Sequence, residues 1–193
     1  MKISYSHLIS KIISKPSQKE LSHRLFQLGH EHEIYEDILD IEYTPNRGDC
    51  LSINGLLRDL KLFYDVKLSD KLYEKDISKL EIQFENNIKN YCKNISFLKV
   101  DIERLPDHYH GQFSDYFSKL NLKKINFFTD VSNFISYETG QPTHCYDASA
   151  LGNILRLDYI QEDCKFETLL DKTIDLKIKD VAFFNKYNEI VNV

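Results

Sequence analysis

No stretch of this 193-residue chain reaches the roughly 18 consecutive apolar residues that a membrane-spanning helix needs. The amino terminus, Met1-Lys2-Ile3-Ser4-Tyr5-Ser6-His7, is broken by polar residues where a secretory signal would be continuously apolar. Cysteine is sparse. Cys50, Cys92, Cys145 and Cys164 are scattered and form no C-x-x-C pair, so neither a zinc site nor a disulfide framework is expected, only free thiols in a reducing compartment. Basic charge is not in excess: 25 Lys and Arg against 30 Asp and Glu leave a formal charge of -5. A surface that grips nucleic acid over its whole extent is thereby excluded, although a local basic patch is not. There is no internal repeat and no low-complexity tract. The expectation is a cytoplasmic protein with no membrane partner.

What is present is an ordinary globular balance of 42% hydrophobic and 28% charged residues. A chain of this length can form one large domain or two small ones and bury about 70% of its unfolded surface. Ser17-Gln18-Lys19-Glu20 has capping-box spacing and precedes a helix with Leu21, Leu25 and Leu28 on one face, closed by Gly29. Leu39, Ile41 and Tyr43 alternate with Asp40 and Glu42 as in a half-buried strand. Thr44-Pro45-Asn46-Arg47-Gly48-Asp49 then forms a turn, with Asp49 the expected cap of a helix striped by Ile53, Leu56, Leu57, Leu60, Phe63 and Tyr64. From Lys67 to Asp76 the residues are charged and aperiodic, which predicts a linker and a domain boundary near position 75.

Beyond the boundary, Leu80, Ile82 and Phe84 alternate with charged or polar residues, and a further strand is expected over Ile95–Val100. Phe113, Phe117 and Leu120 mark an amphipathic helix; Val131, Phe134 and Ile135 mark another, closed by Gly140 and with Asp130 as its expected cap. Short strand-like runs follow at 154–157, 165–170, 173–178 and 181–184. Their close turns favour antiparallel pairing, so the expected class is α+β. The final residues, Glu189 to Val193, read as the start of a strand and suggest a chain that continues.

Several stretches have a bland reading beside a functional one. Arg47-Gly48-Asp49 spells an adhesion tripeptide but is better explained as a turn before a helix. Asn94-Ile95-Ser96 is a glycosylation sequon without a secretion signal. His30-Glu31-His32 and His108-Tyr109-His110 could start a metal site, yet neither has a third ligand nearby in sequence, and solvated loop histidines are expected. Gly140-Gln141-Pro142-Thr143-His144-Cys145-Tyr146-Asp147 is more informative, because it concentrates an amide, an imidazole, a thiol and a carboxylate in a Gly/Pro-punctuated loop. A Cys–His nucleophile is disfavoured, since sequence neighbours rarely face each other as that chemistry requires. A buried structural histidine is the alternative.

Taken together, these blocks resemble the bacterial phenylalanine–tRNA ligase beta subunit. The opening Met1 to Ser6, the helix ending Leu25-Phe26-Gln27-Leu28-Gly29-His30-Glu31, the segment Ile41 to Ser52, and the block from Asp130-Val131-Ser132-Asn133-Phe134 to Asp147 match in order. The resemblance implies a small N-terminal α/β domain at 1–75 and the first half of an antiparallel-sheet, B3/B4-type editing domain at 76–193. One departure lies in the first part of the chain, where only Ile34 to Leu39 fills the position of the family's tRNA-binding insert.

By the same resemblance, His144, Asn133 and Ser132 belong to a pocket that hydrolyses tyrosine wrongly attached to tRNA(Phe), with Gln141 and Asp147 holding its loop. Cys145 and Tyr146 replace the family's Ala and Phe. Such a second site is needed because an apolar pocket cannot strongly reject a substrate that merely adds a hydroxyl. No aminoacylation residue and no metal ligand is expected here; ATP and Mg2+ would serve the complete ligase. The implied partners are the alpha subunit, in an alpha2-beta2 heterotetramer, and tRNA(Phe). Pro45 to Asp49 are expected to be structural. A rival from another class is a stand-alone, non-catalytic protein-binding module derived from the ligase.

Overall fold

Three serines begin three helices for one reason: a backbone N–H in the first turn of a helix needs an acceptor, and a hydroxyl just before it supplies one. Ser4 precedes α1 (Tyr5–Ser10), Ser17 precedes α2 (Gln18–Gln27) and Ser52 precedes α3 (Ile53–Leu60), accepting from the amides of His7, Glu20 and Gly55 respectively. The computed structural model describes residues 1–67, 79–168 and 171–193. From residue 68 on, the expected linker and the boundary near 75 lie outside them. Among the described residues no helix is long and apolar enough to cross a membrane.

Two compact units are present, each made from two separate segments: residues 1–67 with 103–145, and residues 79–102 with 146–193. The first contains β1 (Lys2–Ser4), β2 (Glu31–Tyr35) and β3 (Ile38–Glu42), a sheet of order β1-β3-β2 with antiparallel pairing throughout. Ile3, Leu39 and Ile41 from the sheet meet Leu8, Leu21, Leu25, Ile53, Leu56, Leu57 and Leu60 from the helices, and all are fully buried. Removing one such Leu side chain typically costs about 2–5 kcal/mol.

This unit also holds α4 (Gly111–Lys119) and α5 (Phe127–Thr139). Their facing side is aromatic: Tyr109 stacks on Phe113 at 4.3 Å between ring centroids, and Phe134 lies 5.3 Å from Phe113. Glu138 on α5 pairs with His7 and with Lys11 Nζ (2.8 Å), while Lys119 Nζ donates to Ser6 Oγ at 2.6 Å. These ties join both helices to the N-terminal segment.

The second unit has a sheet of order β4-β5-β8-β9, formed by β4 (Gln83–Asn86), β5 (Ile154–Tyr159), β8 (Val181–Asn185) and β9 (Ile190–Asn192). Among the described residues the strands β6 (Cys164–Glu167) and β7 (Thr173–Leu176) pair with each other as a separate two-stranded sheet, and α6 (Ala148–Leu151) precedes β5. Leu155, Leu157, Ala182 and Phe184 alternate into its core, as strand periodicity requires. Pairing is antiparallel except for β4 with β5, which is parallel. The α+β class holds.

Four expectations need correction. The cap of α3 is Ser52 and not Asp49, whose carboxylate instead receives Arg47 and Arg58. The cap of α5 is Asn126; Asp130 is fully buried one turn in, where it accepts from Tyr109 Oη (2.7 Å) and the Ile125 amide (3.0 Å). Histidines 30 and 32 are not solvated loop residues. His32 lies in β2 and bonds Ser22, and His30 is 2% exposed. Lastly, Ile95–Val100 forms no strand, having no ladder partner among the described residues; Phe97 packs against Phe84, with ring centroids 4.8 Å apart.

Candidate functional site

Arg47 is the centre of a dense polar cluster. The turn it sits in brings its guanidinium to Asp49, with Nε 3.0 Å and Nη2 3.1 Å from the two carboxylate oxygens. The same Nη2 donates to Asp59 on α3 and lies 2.7 Å from Cys50 Sγ. His30 Nε2 stands 3.4 Å from Asp59 Oδ2 without hydrogen-bond geometry, and its ring meets Tyr43 edge-on at 5.0 Å.

The electrostatics follow from this crowding. Bonds from Arg47 hold Asp49 down at about 2. Burial alone would raise Asp59, but bonds from Arg47 and Cys50 outweigh it and keep its carboxyl low. Burial pushes the Cys50 thiol up to about 11, helped by the charge of Asp59, and desolvation lowers His30.

His30, Cys50 and Asp59 are also the one grouping of three metal-capable side chains among the described residues, with ligand atoms within 4.8 Å of one another. The guanidinium already supplies the positive charge at that point, and the thiol is held protonated. A thiol and an imidazole are in any case poor partners for Mg2+, which prefers oxygen. The cluster is therefore an arginine-centred ion network, and the residues present do not fit Mg2+.

The second candidate is the segment after α5. Ser132 is half-buried and Asn133 exposed on that helix; Gln141, His144, Cys145 and Asp147 are exposed. Gly140 ends the helix in the left-handed region at φ 76°, which residues other than glycine adopt at a cost. Thr139 Oγ1 donates to the Ile135 carbonyl and accepts from the Gln141 amide at 3.1 Å, fixing the start of the loop. At its far end Cys145 Sγ lies 3.6 Å from Ser132 Oγ and 3.8 Å from the Phe128 carbonyl, on the outer face of α5. The loop is thus tied at both ends to one helix, with His144 next to the second tie. Desolvation lowers the pKa of His144, which favours the neutral imidazole near pH 7.

Asp147 acts elsewhere, capping α6 by accepting from the Ser149 amide (2.8 Å) and hydroxyl (2.6 Å). Tyr146, in the second unit, receives Asn192 Nδ2 at 3.2 Å and packs toward Phe183. Of the residues named from the sequence, Ser132 and the residue beside His144 are brought together. Sequence reasoning missed the Cys145 tie; it expected Arg47 to pair with a carboxylate but did not name Asp59 as the partner, for which the Arg58-Asp59 pair on α3 was the signal.

Comparison with known proteins bears on the second candidate. Residues 113–192 match the B3/4 domain family. A protein of Ehrlichia ruminantium named phenylalanine–tRNA ligase beta subunit is 28% identical over 187 residues, covering 90% of this chain and 23% of its own length. The similarity is to phenylalanine–tRNA ligase beta subunits. Proteins of that name from Fusobacterium nucleatum (29% identity; 66% of this chain and 17% of the relative) and Bartonella quintana (26%; 75% and 18%) agree. The chain spans about a fifth of the length of these phenylalanine–tRNA ligase beta subunits. The B3/4 match includes α4, α5, the whole His144 loop and most of the second sheet.

Proposed function

We propose that the chain works as part of a phenylalanine–tRNA ligase beta subunit, in the cytoplasm and in complex with the alpha subunit, and that it contributes one side of a site that hydrolyses tyrosine mistakenly joined to tRNA(Phe). The observation that carries this reading is the His144 loop: an exposed imidazole with a lowered pKa, on a loop tied to α5, inside the segment that matches the B3/4 domain. Ester hydrolysis needs an oriented water and donors for the developing oxyanion. A neutral imidazole can accept a proton from water, and the Asn133 amide and Ser132 hydroxyl can donate to the ester or the terminal ribose. Phenylalanine activation with ATP and Mg2+ is assigned to the rest of the assembly. No step of it is drawn through these residues.

The test is deacylation of Tyr-tRNA(Phe) by the alpha–beta complex containing this chain. His144→Ala should slow deacylation by about 100-fold, the lower end for loss of a general acid or base, while charging with phenylalanine stays unchanged. A wild-type deacylation rate would remove His144 from the site. Affinity capture of the chain should recover the alpha subunit and tRNA(Phe). Recovery of neither would favour the non-catalytic binding module.

A further inference from the structure

The two blocks that stand out most in the sequence, Thr44–Ser52 and Gly140–Asp147, meet at one contact. A Cβ atom built at Gly140 would lie 3.2 Å from Ser52 Oγ and 3.3 Å from Ser52 Cβ, closer than ordinary van der Waals contact. Gly140 is the pivot at which α5 stops and the His144 loop begins. Its position is therefore set by Ser52 as well as by its own helix.

Ser52 is in no position to yield. It is 2% exposed, and its hydroxyl caps α3 by accepting from the Gly55 amide at 3.0 Å. Just before it, Cys50 is fully buried and lies against the Arg47 guanidinium, which is in turn bonded to Asp59 on α3. Gly55 is similarly confined: a Cβ there would fall 2.2 Å from the Asp49 carbonyl oxygen, so this stretch closes tightly on the start of α3. A chain of contacts thus runs from Arg47 through Ser52 to Gly140, and the loop that follows is fixed again at Cys145.

We propose that Ser52 is a positioning residue for the His144 loop, and that the Arg47 turn is the foundation on which the candidate site is set. The turn needs no contact with substrate to be functionally important. It holds the seat from which His144 is presented. The functional half of this inference rests on the deacylation reading; the mechanical half does not.

The test separates the two. In the intact chain, the titration of the His144 imidazole is followed by NMR in wild type, Gly140→Asn, Ser52→Gly and the double variant. Asn tolerates the left-handed backbone, so Gly140→Asn chiefly introduces the clash with Ser52. Ser52→Gly removes that clash and costs the α3 cap little. Gly140→Asn should move the His144 titration midpoint and broaden its resonances, and adding Ser52→Gly should restore the wild-type curve. An unchanged midpoint in folded Gly140→Asn, or failure of the double variant to restore it, overturns the proposal. Should Gly140→Asn not fold, Ser52→Thr decides, since it keeps the capping hydroxyl and thickens the same contact with a methyl group: a shifted or exchange-broadened His144 signal upholds the seat, and a wild-type signal rejects it. Because the readout is the imidazole itself, failure of deacylation in the alpha–beta complex would refute the editing reading and leave this coupling standing.

Discussion

The Arg47 turn and the His144 loop are equally conspicuous in sequence and opposite in construction. Around Arg47, Cys50 and Ser52 are buried and the charged groups of Arg47, Asp49, Arg58 and Asp59 neutralise one another. From Gln141 to Cys145 every residue is exposed. An ion network seated on buried neighbours resists change because removing one partner strands the others, whereas an exposed loop can reach a substrate. The difference teaches that an eye-catching motif can be support and not chemistry, and that which it is depends on where its polar atoms point.

Mutation should divide the two regions sharply. Asp59→Ala deprives Arg47 of its acceptor on α3 and should cost about 2 kcal/mol in urea unfolding, less than for a fully enclosed pair because solvent reaches its edge. His144→Ala should stay within about 0.5 kcal/mol of wild type. If His144→Ala proves as costly as Asp59→Ala, the contrast between scaffold and site is wrong.

Ser52→Ala comes next in size. It should cost about 1 kcal/mol through loss of the α3 cap, measured in the same way. A neutral result would mean that the α3 N-terminus finds another acceptor.

Acid should weaken the Arg47 region in two stages. His30 is held neutral in the fold, with its pKa below the ordinary histidine value. The unfolded chain therefore takes up that proton first, and stability should fall as pH drops below about 6.5, levelling off once the folded histidine also protonates. Asp59 and Asp49 are held below the ordinary carboxylate value, so their contribution is present above about pH 4 and disappears as pH falls further. His30→Gln should shrink the upper stage to the part that His144 contributes and leave the lower one intact. An unchanged profile would show that His30 is not the group responsible.

The smallest effect sharpens the comparison at the level of single thiols. Cys145 is exposed, while Cys50 is fully buried with its pKa pushed up to about 11. A thiol reagent at pH 7 should therefore modify Cys145 well before Cys50, since the thiolate is the reactive form. Cys145→Ala should change stability by less than about 0.5 kcal/mol. Early labelling of Cys50 would mean that the Arg47 region opens readily.

Much of the helical framework was legible because its signals are local. Ser17 with Leu21 and Leu25 marks α2, and Gly140 marks the end of α5. Strand β2 was not legible: Glu31-His32-Glu33 is polar on both faces, and only its pairing with β3 makes it a strand. Ile95–Val100 failed in the opposite sense, having apolar, strand-favouring residues without a ladder partner among the described residues. Asp49 and Asp130 look like caps in sequence, yet each was taken by a more distant group, Arg58 and Tyr109 respectively. The candidate site residues Ser132, Asn133 and His144 were reached by resemblance. The seat between Ser52 and Gly140 could not be, since nothing in either segment names the other.

The parallel pairing of β4 with β5 has a consequence for the chain as it is made. Gln83 must wait for Ile154, and Phe84 for Leu155, while α4 and α5 are still emerging from the ribosome. Closing so long a loop is thermodynamically mild, with each doubling of length adding only about 0.6 kcal/mol. In time it is not mild. At roughly 5–20 residues per second the first strand of the second sheet waits several seconds for its partner, with the ladder groups of Gln83 to Asn86 unpaired. That interval, before β5 is available, is when the nascent chain most needs protection by a chaperone.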